Sequence, residues 1–188
     1  MRMNDSEKEL VAMVLAGRSE AFEPLVTPYR QALLGLACRL TGNAEDAKEV
    51  AQEALLRAFR HLARYDTSRS FRNWLFGIAA NQARDRLRQR RREADLAAAA
   101  GRELRPADDP EAGRRAREFR LALERCLSVL GPREREVFIL RDLEDLDIKE
   151  TARALGCSNV SVRVHLSSAR RKLRDAIRET CPSLEEGR

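Results

Sequence analysis

Aromatic residues are scarce in this sequence of 188 residues, where one tryptophan, two tyrosines and six phenylalanines make up 5% of the chain. Cores of β-sheets draw heavily on aromatic and β-branched side chains, so this scarcity argues against a β-sandwich. Charged residues, by contrast, make up 35% of the chain. That balance favours an all-α protein built from small helical domains with thin cores.

Residues that commonly bind metals or attack substrates are also few. The four cysteines and two histidines do not show the spacing of a zinc site. The sequence has no glycine-rich phosphate-binding loop and no nucleophile–base signature. We therefore expect no metal site, no cofactor and no enzymatic activity; the cysteines and histidines are Cys38, Cys126, Cys157, Cys181, His61 and His165.

Long hydrophobic runs are missing as well. No stretch approaches the ~20 apolar residues that a membrane span needs. The first ten residues, MRMNDSEKEL, lack the apolar core of a signal peptide. These features predict a cytoplasmic protein without membrane insertion.

Basic charge is abundant and unevenly distributed. The net charge is +6 overall, with +6 in residues 1–92, −3 in 93–110 and +3 in 111–188. Two basic blocks around an acidic joint favour a polyanionic partner, above all nucleic acid. An arginine-rich genome would also raise the charge, but it would not by itself cluster the arginines.

Helical periodicity dominates the sequence up to Arg92. It predicts helices at 6–16, from Ser19 to about residue 40, at 44–62 and at 72–90. The motif TGN at 41–43 should end one helix and cap the next. Two prolines should interrupt the second predicted helix, because proline cannot donate the helical hydrogen bond; they are Pro24 and Pro28.

The segment RDRLRQRRR, residues 84–92, holds six arginines and one aspartate. On a helix, residues four apart share a face, so Arg84 aligns with Arg88 and Arg86 aligns with Arg90. A helix this cationic repels itself unless phosphates lie close. The pattern therefore predicts nucleic-acid binding that weakens as salt rises, although an arginine stem can also cover apolar surface.

Residues 93–112 differ in composition from the segments on either side. They contain an alanine run, Gly101, Pro106 and Pro110, which predicts a linker. We accordingly divide the chain into a first domain at 1–92, a linker at 93–112, a second domain at 113–182 and a tail at 183–188.

The second domain carries a helix-turn-helix pattern. Asp147 can cap a short helix at 148–155, Gly156 suits its left-handed end, and Ser158 can cap a long helix to about Arg178. The outer face of that long helix carries five basic residues and no acid between 159 and 174. Short helix, glycine turn and basic helix favour DNA binding, while an αα-hairpin with a solvated basic face remains the alternative.

With these motifs in place, the sequence resembles the extracytoplasmic-function (ECF) sigma factors. GNAEDAKEVAQEALLRAF resembles their region 2.2, and FRNWLFGIAANQARDRLRQRRR resembles regions 2.3 to 2.4. LGPREREVFILRDLEDLDIKETARALGCSNVSVRVHLSSARRKLR resembles region 4. The resemblance implies a two-domain helical subunit that binds the β′ clamp helices and β flap of core RNA polymerase. Its second domain would recognise the −35 promoter element, and its first would recognise and melt the −10 element.

The predicted third helix has an acidic outer surface in an otherwise basic chain. Simple solvation explains such a surface, but the resemblance implies contact with the basic β′ clamp helices. Opposite charge would then speed encounter and set register. The candidate polymerase-binding residues are Asp46, Glu49, Gln52, Glu53 and Leu56.

For the −10 element, melting requires unpaired bases to be held by stacking and by edge hydrogen bonds. The resemblance implies that Asn81 contacts the non-template strand and that the 66–72 loop holds a flipped base. For Trp74, a position in the hydrophobic core is the better interpretation than stacking on a base. The candidate −10 residues are Phe71, Arg72, Trp74, Asn81, Arg84, Arg88 and Arg91.

For the −35 element, the resemblance implies that Arg163 meets the major groove. Val160 stands where the family often has glycine, and Asp145 replaces a common glycine. The candidate −35 residues are Ser158, Asn159, Ser161, Arg163, Val164, His165, Ser167, Ser168 and Arg171.

Two alternatives remain at the level of sequence. A stand-alone helix-turn-helix regulator would use residues 147–178 but would leave the acidic helix and the arginine run without a role. A sigma mimic would titrate an anti-sigma factor without touching DNA. It would not need the arginines of residues 84–92 or the basic residues between 159 and 174. For a true sigma factor, the family implies a sequestering anti-sigma factor as a further partner.

Overall fold

The computed structural model describes residues 5–99 and 125–180. Every regular element in these two ranges is helical, which confirms the all-α prediction. The chain divides into two compact units, one containing the first range and the other containing the second. Within the described residues we find no helix with the length and hydrophobicity that a membrane span requires.

The first unit is a bundle of five α-helices linked by short 3-10 turns. The predicted second helix is interrupted, as expected from its prolines, and Pro28 lies in one of the 3-10 turns. The helices are α1 (Asp5–Leu15), α2 (Phe22–Val26), α3 (Arg30–Thr41), α4 (Ala44–His61) and α5 (Phe71–Ala99), and the 3-10 turns are Ser19–Ala21, Thr27–Tyr29 and Leu62–Arg64.

The junction between α3 and α4 has the predicted stop and cap. Gly42 ends α3 with φ of 69°, a left-handed conformation in which a β-carbon would be strained. The Asn43 side chain then accepts a hydrogen bond from the backbone N–H of Asp46 at 2.9 Å. This cap fixes where α4 begins and therefore which of its residues face the bundle.

Helices α3, α4 and α5 form the core of the first unit. α4 contributes a stripe of small residues, including Ala47, Val50 and Ala54, that allows close approach of the larger side chains opposite. Those side chains are at most 2% exposed and include Leu33, Leu36, Leu75 and Phe76. Burial on this scale holds α4 and α5 side by side, so their outer faces form one surface.

Helix α5 is longer than the sequence predicted. It continues to Ala99, so residues 93–99 of the predicted linker are helical, while the rest of that linker lies outside the described residues. The reason is that no proline or glycine occurs between Arg92 and Ala99, and alanine favours a helix. Gln89 also donates a hydrogen bond to Glu93 one turn later, at 2.8 Å.

The second unit contains the predicted helix-turn-helix. Residues 125–128 are helical. They are followed by α6 (Pro132–Phe138), a π-helical turn (Ile139–Leu143), α7 (Ile148–Leu155) and α8 (Asn159–Thr180).

The predicted caps of α7 are both confirmed. Asp147 accepts from the Glu150 backbone N–H at 2.7 Å, and Gly156 ends α7 with φ of 61°. Just before α7, Asp145 has φ of 58°. The family that the sequence resembles commonly has glycine at this position, and glycine would adopt that conformation without strain.

Candidate nucleic-acid and protein interfaces

An open groove runs between the outer faces of α4 and α5. It has a volume of 480 Å³ and combines acidic, amide and apolar side chains with two arginines, Arg57 and Arg86, which pair with Glu53 and Glu49. Leu56 is 44% exposed there, which is unusual exposure for a leucine beside carboxylates. The lining residues are Glu49, Val50, Gln52, Glu53, Leu56, Arg57, Gln82, Asp85, Arg86 and Gln89.

Four of the five predicted polymerase-binding residues line this groove; the fifth, Asp46, does not. The Asp46 side chain is only 5% exposed, so the prediction that it lies on the outer surface is wrong. The residue is four positions before Val50, which places it at the edge of the buried stripe. There it faces α5 instead of solvent.

Asp46 holds two arginines of the RDRLRQRRR segment. Arg86 donates through Nε at 2.7 Å to one carboxylate oxygen, and Arg90 donates through Nη1 at 2.6 Å to the other. Arg86 also approaches Glu49 at 3.2 Å. A carboxylate this buried requires such partners, because desolvation of an unpaired charge costs several kcal/mol. These ion pairs therefore fasten α4 to α5.

The remaining arginines of the segment point elsewhere. Arg88 and Arg91 are exposed and form no ion pair within the described residues. Since a helix turns about 100° per residue, Arg84, Arg88 and Arg91 lie on the face of α5 opposite the groove. One helix thus presents groove-lining residues on one side and the exposed guanidinium groups of Arg88 and Arg91 on the other.

The predicted −10 residues at the start of α5 differ in exposure: Phe71 is buried, while Arg72 and Trp74 are half-buried. Phe71 is 1% exposed, so it is a core residue, and its prediction as an exposed DNA contact is wrong. Its ring centroid lies 5.5 Å from that of Tyr65 and 5.7 Å from that of half-buried Trp74. Arg72 stacks its guanidinium 4.2 Å from the centroid of the Phe76 ring.

The predicted 66–72 loop is shorter in the structure, because α5 begins at Phe71, and its residues are ordered by local hydrogen bonds. The Tyr65 hydroxyl donates to the backbone carbonyl of Arg69 at 2.6 Å, and the Asp66 carboxylate accepts from the Ser68 N–H at 2.9 Å. Asn81, half-buried on α5, accepts a hydrogen bond from Arg84 at 3.1 Å. That bond orients the Asn81 amide and leaves its NH₂ group as a donor.

The N-terminal half of α8 carries several exposed side chains. Ser158 caps the helix by accepting from the Ser161 N–H at 3.1 Å, which confirms its predicted role as a cap. The predicted residues that point away from the unit are Asn159, Arg163, Val164, Ser167 and Arg171, and Val160 lies among them.

Other predicted residues of α8 turn towards their own unit. The Ser168 hydroxyl donates to Glu134 at 2.7 Å, and Lys172 donates to the other oxygen of that carboxylate at 2.8 Å. Ser168 therefore fastens α8 to α6, and the expectation that it faces a −35 element is wrong. His165 is only partly exposed.

Two carboxylates of the same unit pair with basic residues of α8. Arg170 forms a two-pronged contact with Asp142, with N–O distances of 2.8 and 2.7 Å. The hydrogen bonds that Glu134 accepts, chiefly from Lys172 and then from Ser168, lower the pKa of its carboxyl to about 2. Fewer cations than the sequence suggested are thus free to meet DNA.

Sequence reasoning missed the part of the groove that α5 contributes. Gln82, Asp85 and Gln89 recur at spacings of three and four, which puts them on one helical face. That spacing is present in the sequence, but the arginines between these residues favoured an interpretation of the segment as a DNA contact alone.

The comparisons with known proteins follow the same division into two parts. The family model for sigma-70 region 2 matches residues 25–93, and the model for sigma-70 region 4 matches residues 120–173. ECF sigma factor SigM of Mycobacterium tuberculosis is 30% identical, with 92% of this chain and 85% of the relative covered. The RNA polymerase sigma-H factor of Pseudomonas aeruginosa is 28% identical, with 94% and 96% covered.

Among solved structures, the chain is similar to CnrH, which was determined in complex with the cytosolic domain of CnrY. The TM-score is 0.68 at 26% identity, with 92% of this chain and 97% of the other covered. The sigma factor RpoE of Bartonella quintana, in complex with the anti-sigma factor NepR, has a TM-score of 0.66 at 21% identity. The latter likeness concerns the fold alone.

Proposed function

Because this chain belongs to the ECF class of the sigma-70 family of RNA polymerase sigma factors, we propose that it directs transcription initiation through three separate surfaces. The α4–α5 groove binds core polymerase, the outer face of α5 binds the −10 element, and the N-terminal half of α8 reads the −35 element. Phosphodiester synthesis belongs to the polymerase, and both act in the bacterial cytoplasm.

One observation supports this division above the others. α5 carries its groove residues on one face and the exposed Arg88 and Arg91 on the opposite face, so a protein and a DNA strand can occupy the same helix together. A helix with a single DNA-binding function has no need for the acidic groove, whose carboxylates would repel phosphates. The family's two partners account for both faces.

The groove suits a basic helical partner such as the β′ clamp helices. Glu49 and Glu53 supply negative charge, Gln52 supplies an amide, and Leu56 supplies an apolar anchor. To these we add Gln82, Asp85 and Gln89 from α5. Asp46 acts as a positioning residue here, since its ion pairs hold α5 at the distance from α4 that shapes the groove.

Promoter DNA is assigned to the exposed arginines and their neighbours. Arg84, Arg88 and Arg91 would hold phosphates, and Asn81 would offer its NH₂ group to an unpaired base at the −10 element. On α8, Arg163 would contact a guanine edge in the −35 major groove, and Arg171 would contact phosphate.

We further propose that an anti-sigma factor holds the chain off polymerase. The support is that the solved relative CnrH was captured with the cytosolic domain of CnrY. An inhibitor that covers the α4–α5 groove would exclude the clamp helices directly. Competition between the inhibitor and core polymerase for the purified chain tests this proposal.

The experiment that tests the function is run-off transcription with purified core polymerase on genomic fragments. We expect promoter-specific transcripts that require the chain. Glu49→Lys with Glu53→Lys should abolish them and remove co-purification with core. The matched control is Glu20→Lys with Glu45→Lys, which makes the same charge change on exposed residues outside the groove. Equal activity of the two double variants would contradict the groove assignment.

A further inference from the structure

Two valines stand out on the exposed face of α8. Val160 is 64% exposed and Val164 is 60% exposed, and they lie one turn apart near the start of the helix. Val162, between them in sequence, is fully buried against the rest of the unit. The packing of α8 therefore does not require the two outer valines, and valine is a poor helix former at a solvent-exposed site.

Polar and cationic groups surround this valine pair. Arg163 and Ser167 flank it, and Arg171 continues the same face two turns further on. No acidic residue occurs between Asn159 and Arg174. A protein-binding apolar patch of this size would gain little from such a cationic border unless the partner were acidic, whereas the edge of a DNA major groove offers both kinds of contact.

Among the four bases, thymine alone presents an apolar group in the major groove, its 5-methyl. A recognition helix places its N-terminal residues against base edges, and these are the positions of Val160 and Val164. The exposed pair thus fits methyl groups, in the same way that the adjacent guanidinium of Arg163 fits a guanine.

We propose that Val160 and Val164 determine −35 specificity by burying the 5-methyl groups of thymines next to the base pair that Arg163 contacts. This proposal rests on the function of α8 as a promoter reader. It adds the chemical group that the helix selects, and it predicts A·T pairs on either side of a G·C pair in the preferred element.

The test uses holoenzyme assembled from the full chain and core polymerase. A promoter library with a randomised −35 element first identifies the preferred sequence. Each thymine in that element is then replaced, one at a time, by deoxyuridine, which lacks only the methyl group. We expect a loss of affinity of about two- to fivefold at one or two positions, as the burial of single methyl groups implies.

The variants assign each methyl to a side chain. Val160→Ala and Val164→Ala should each abolish the deoxyuridine penalty at one position, as in a double-mutant cycle. Both sites are exposed and alanine favours a helix, so the fold should persist. Val129→Ala is the control, since this valine of the same unit is 40% exposed but lies outside α8; it should leave the penalty unchanged.

Failure of the inference is distinguishable from failure of the function. A selected element without thymine, or a deoxyuridine penalty that is equal in wild type and both alanine variants, overturns the methyl contact while α8 still reads the promoter. If instead no −35 sequence is enriched and Arg163→Ala leaves promoter retention unchanged, the promoter-reading role of α8 itself is wrong. The valine pair then belongs to a protein partner.

Discussion

Helices α5 and α8 are the two long basic helices among the residues that the structure describes, and in each of them some cations pair with acids of the same unit. In α5, two arginines converge on a single carboxylate, Asp46, whose side chain is 5% exposed. In α8, two cations engage two different carboxylates: Arg170 pairs with Asp142, and Lys172 with Glu134. A basic segment is thus not a measure of DNA contact, because acidic side chains of the same unit decide which cations remain available.

This difference in ion pairing also predicts which carboxylate substitution destabilises each unit. Asp46→Asn should be the most damaging of these changes, because it leaves two arginines without their common partner. We expect the first unit to lose about 2–3 kcal/mol of unfolding free energy. The chain's single tryptophan, Trp74, lies in α5, so its fluorescence during urea unfolding reports this unit specifically. Glu45→Gln, on the neighbouring exposed residue, should have little effect.

An unchanged urea midpoint for Asp46→Asn would show that solvent satisfies Arg86 and Arg90 without Asp46. Asp46 would then have no structural role, and a direct contact with polymerase would again be the better explanation of its position in α4.

Glu134 is the corresponding carboxylate of the second unit, and its contribution should depend on pH. Its folded pKa of about 2 lies below the ordinary value of 4.5. A depressed pKa stabilises the fold above the unfolded value, and that stability is lost as pH falls from about 4.5 towards 2. We expect Glu134→Gln to cost about 2 kcal/mol at pH 6 and clearly less near pH 2.5, where the unfolded carboxyl is protonated and the folded one is becoming so.

Two signals separate the units in that experiment. Far-UV circular dichroism reports both units during urea unfolding, while Trp74 fluorescence reports only the first and should not change. A difference between wild type and Glu134→Gln that stays constant from pH 6 to pH 2.5 would contradict the assigned hydrogen bonds of Glu134.

The features that could be predicted from the sequence depend on residues close together in the chain, and those that could not depend on residues far apart. The caps at Asn43, Asp147 and Gly156 were predictable because each depends on residues within four positions. The burial of Asp46 was not, because its partners lie 40 and 44 positions away and the pairing depends on how α4 and α5 pack. Ser168 was misassigned for the same reason, since Glu134 is 34 positions distant.

The arginines of α5 allow the comparison to be made within one helix. Arg88→Ala should leave urea unfolding unchanged but reduce the salt dependence of promoter binding by about one phosphate contact. Arg86→Ala, two residues away, should do the reverse, lowering the urea midpoint by way of Asp46 with little change in the salt dependence. Promoter binding by holoenzyme across a range of salt concentrations measures both slopes. Identical effects of the two variants would remove the distinction between free and paired arginines.

The smallest expected effect concerns a backbone conformation that both units share. Gly42 in the first unit has φ of 69°, and Asp145 in the second has φ of 58°. A β-carbon in this region costs roughly 1–2 kcal/mol, although aspartate tolerates it better than most residues. Asp145→Ala should therefore destabilise the second unit by about 0.5–1 kcal/mol. Asp145→Gly should stay within about 0.5 kcal/mol of wild type, because relief of strain is offset by the greater entropy of glycine in the unfolded chain.

Gly42→Ala, read by Trp74 fluorescence, is the matched change in the first unit and should cost about 1 kcal/mol. If alanine is as stable as glycine at position 145 but not at position 42, the left-handed conformation of Asp145 is not maintained in solution, and the turn before α7 relaxes where the turn before α4 does not.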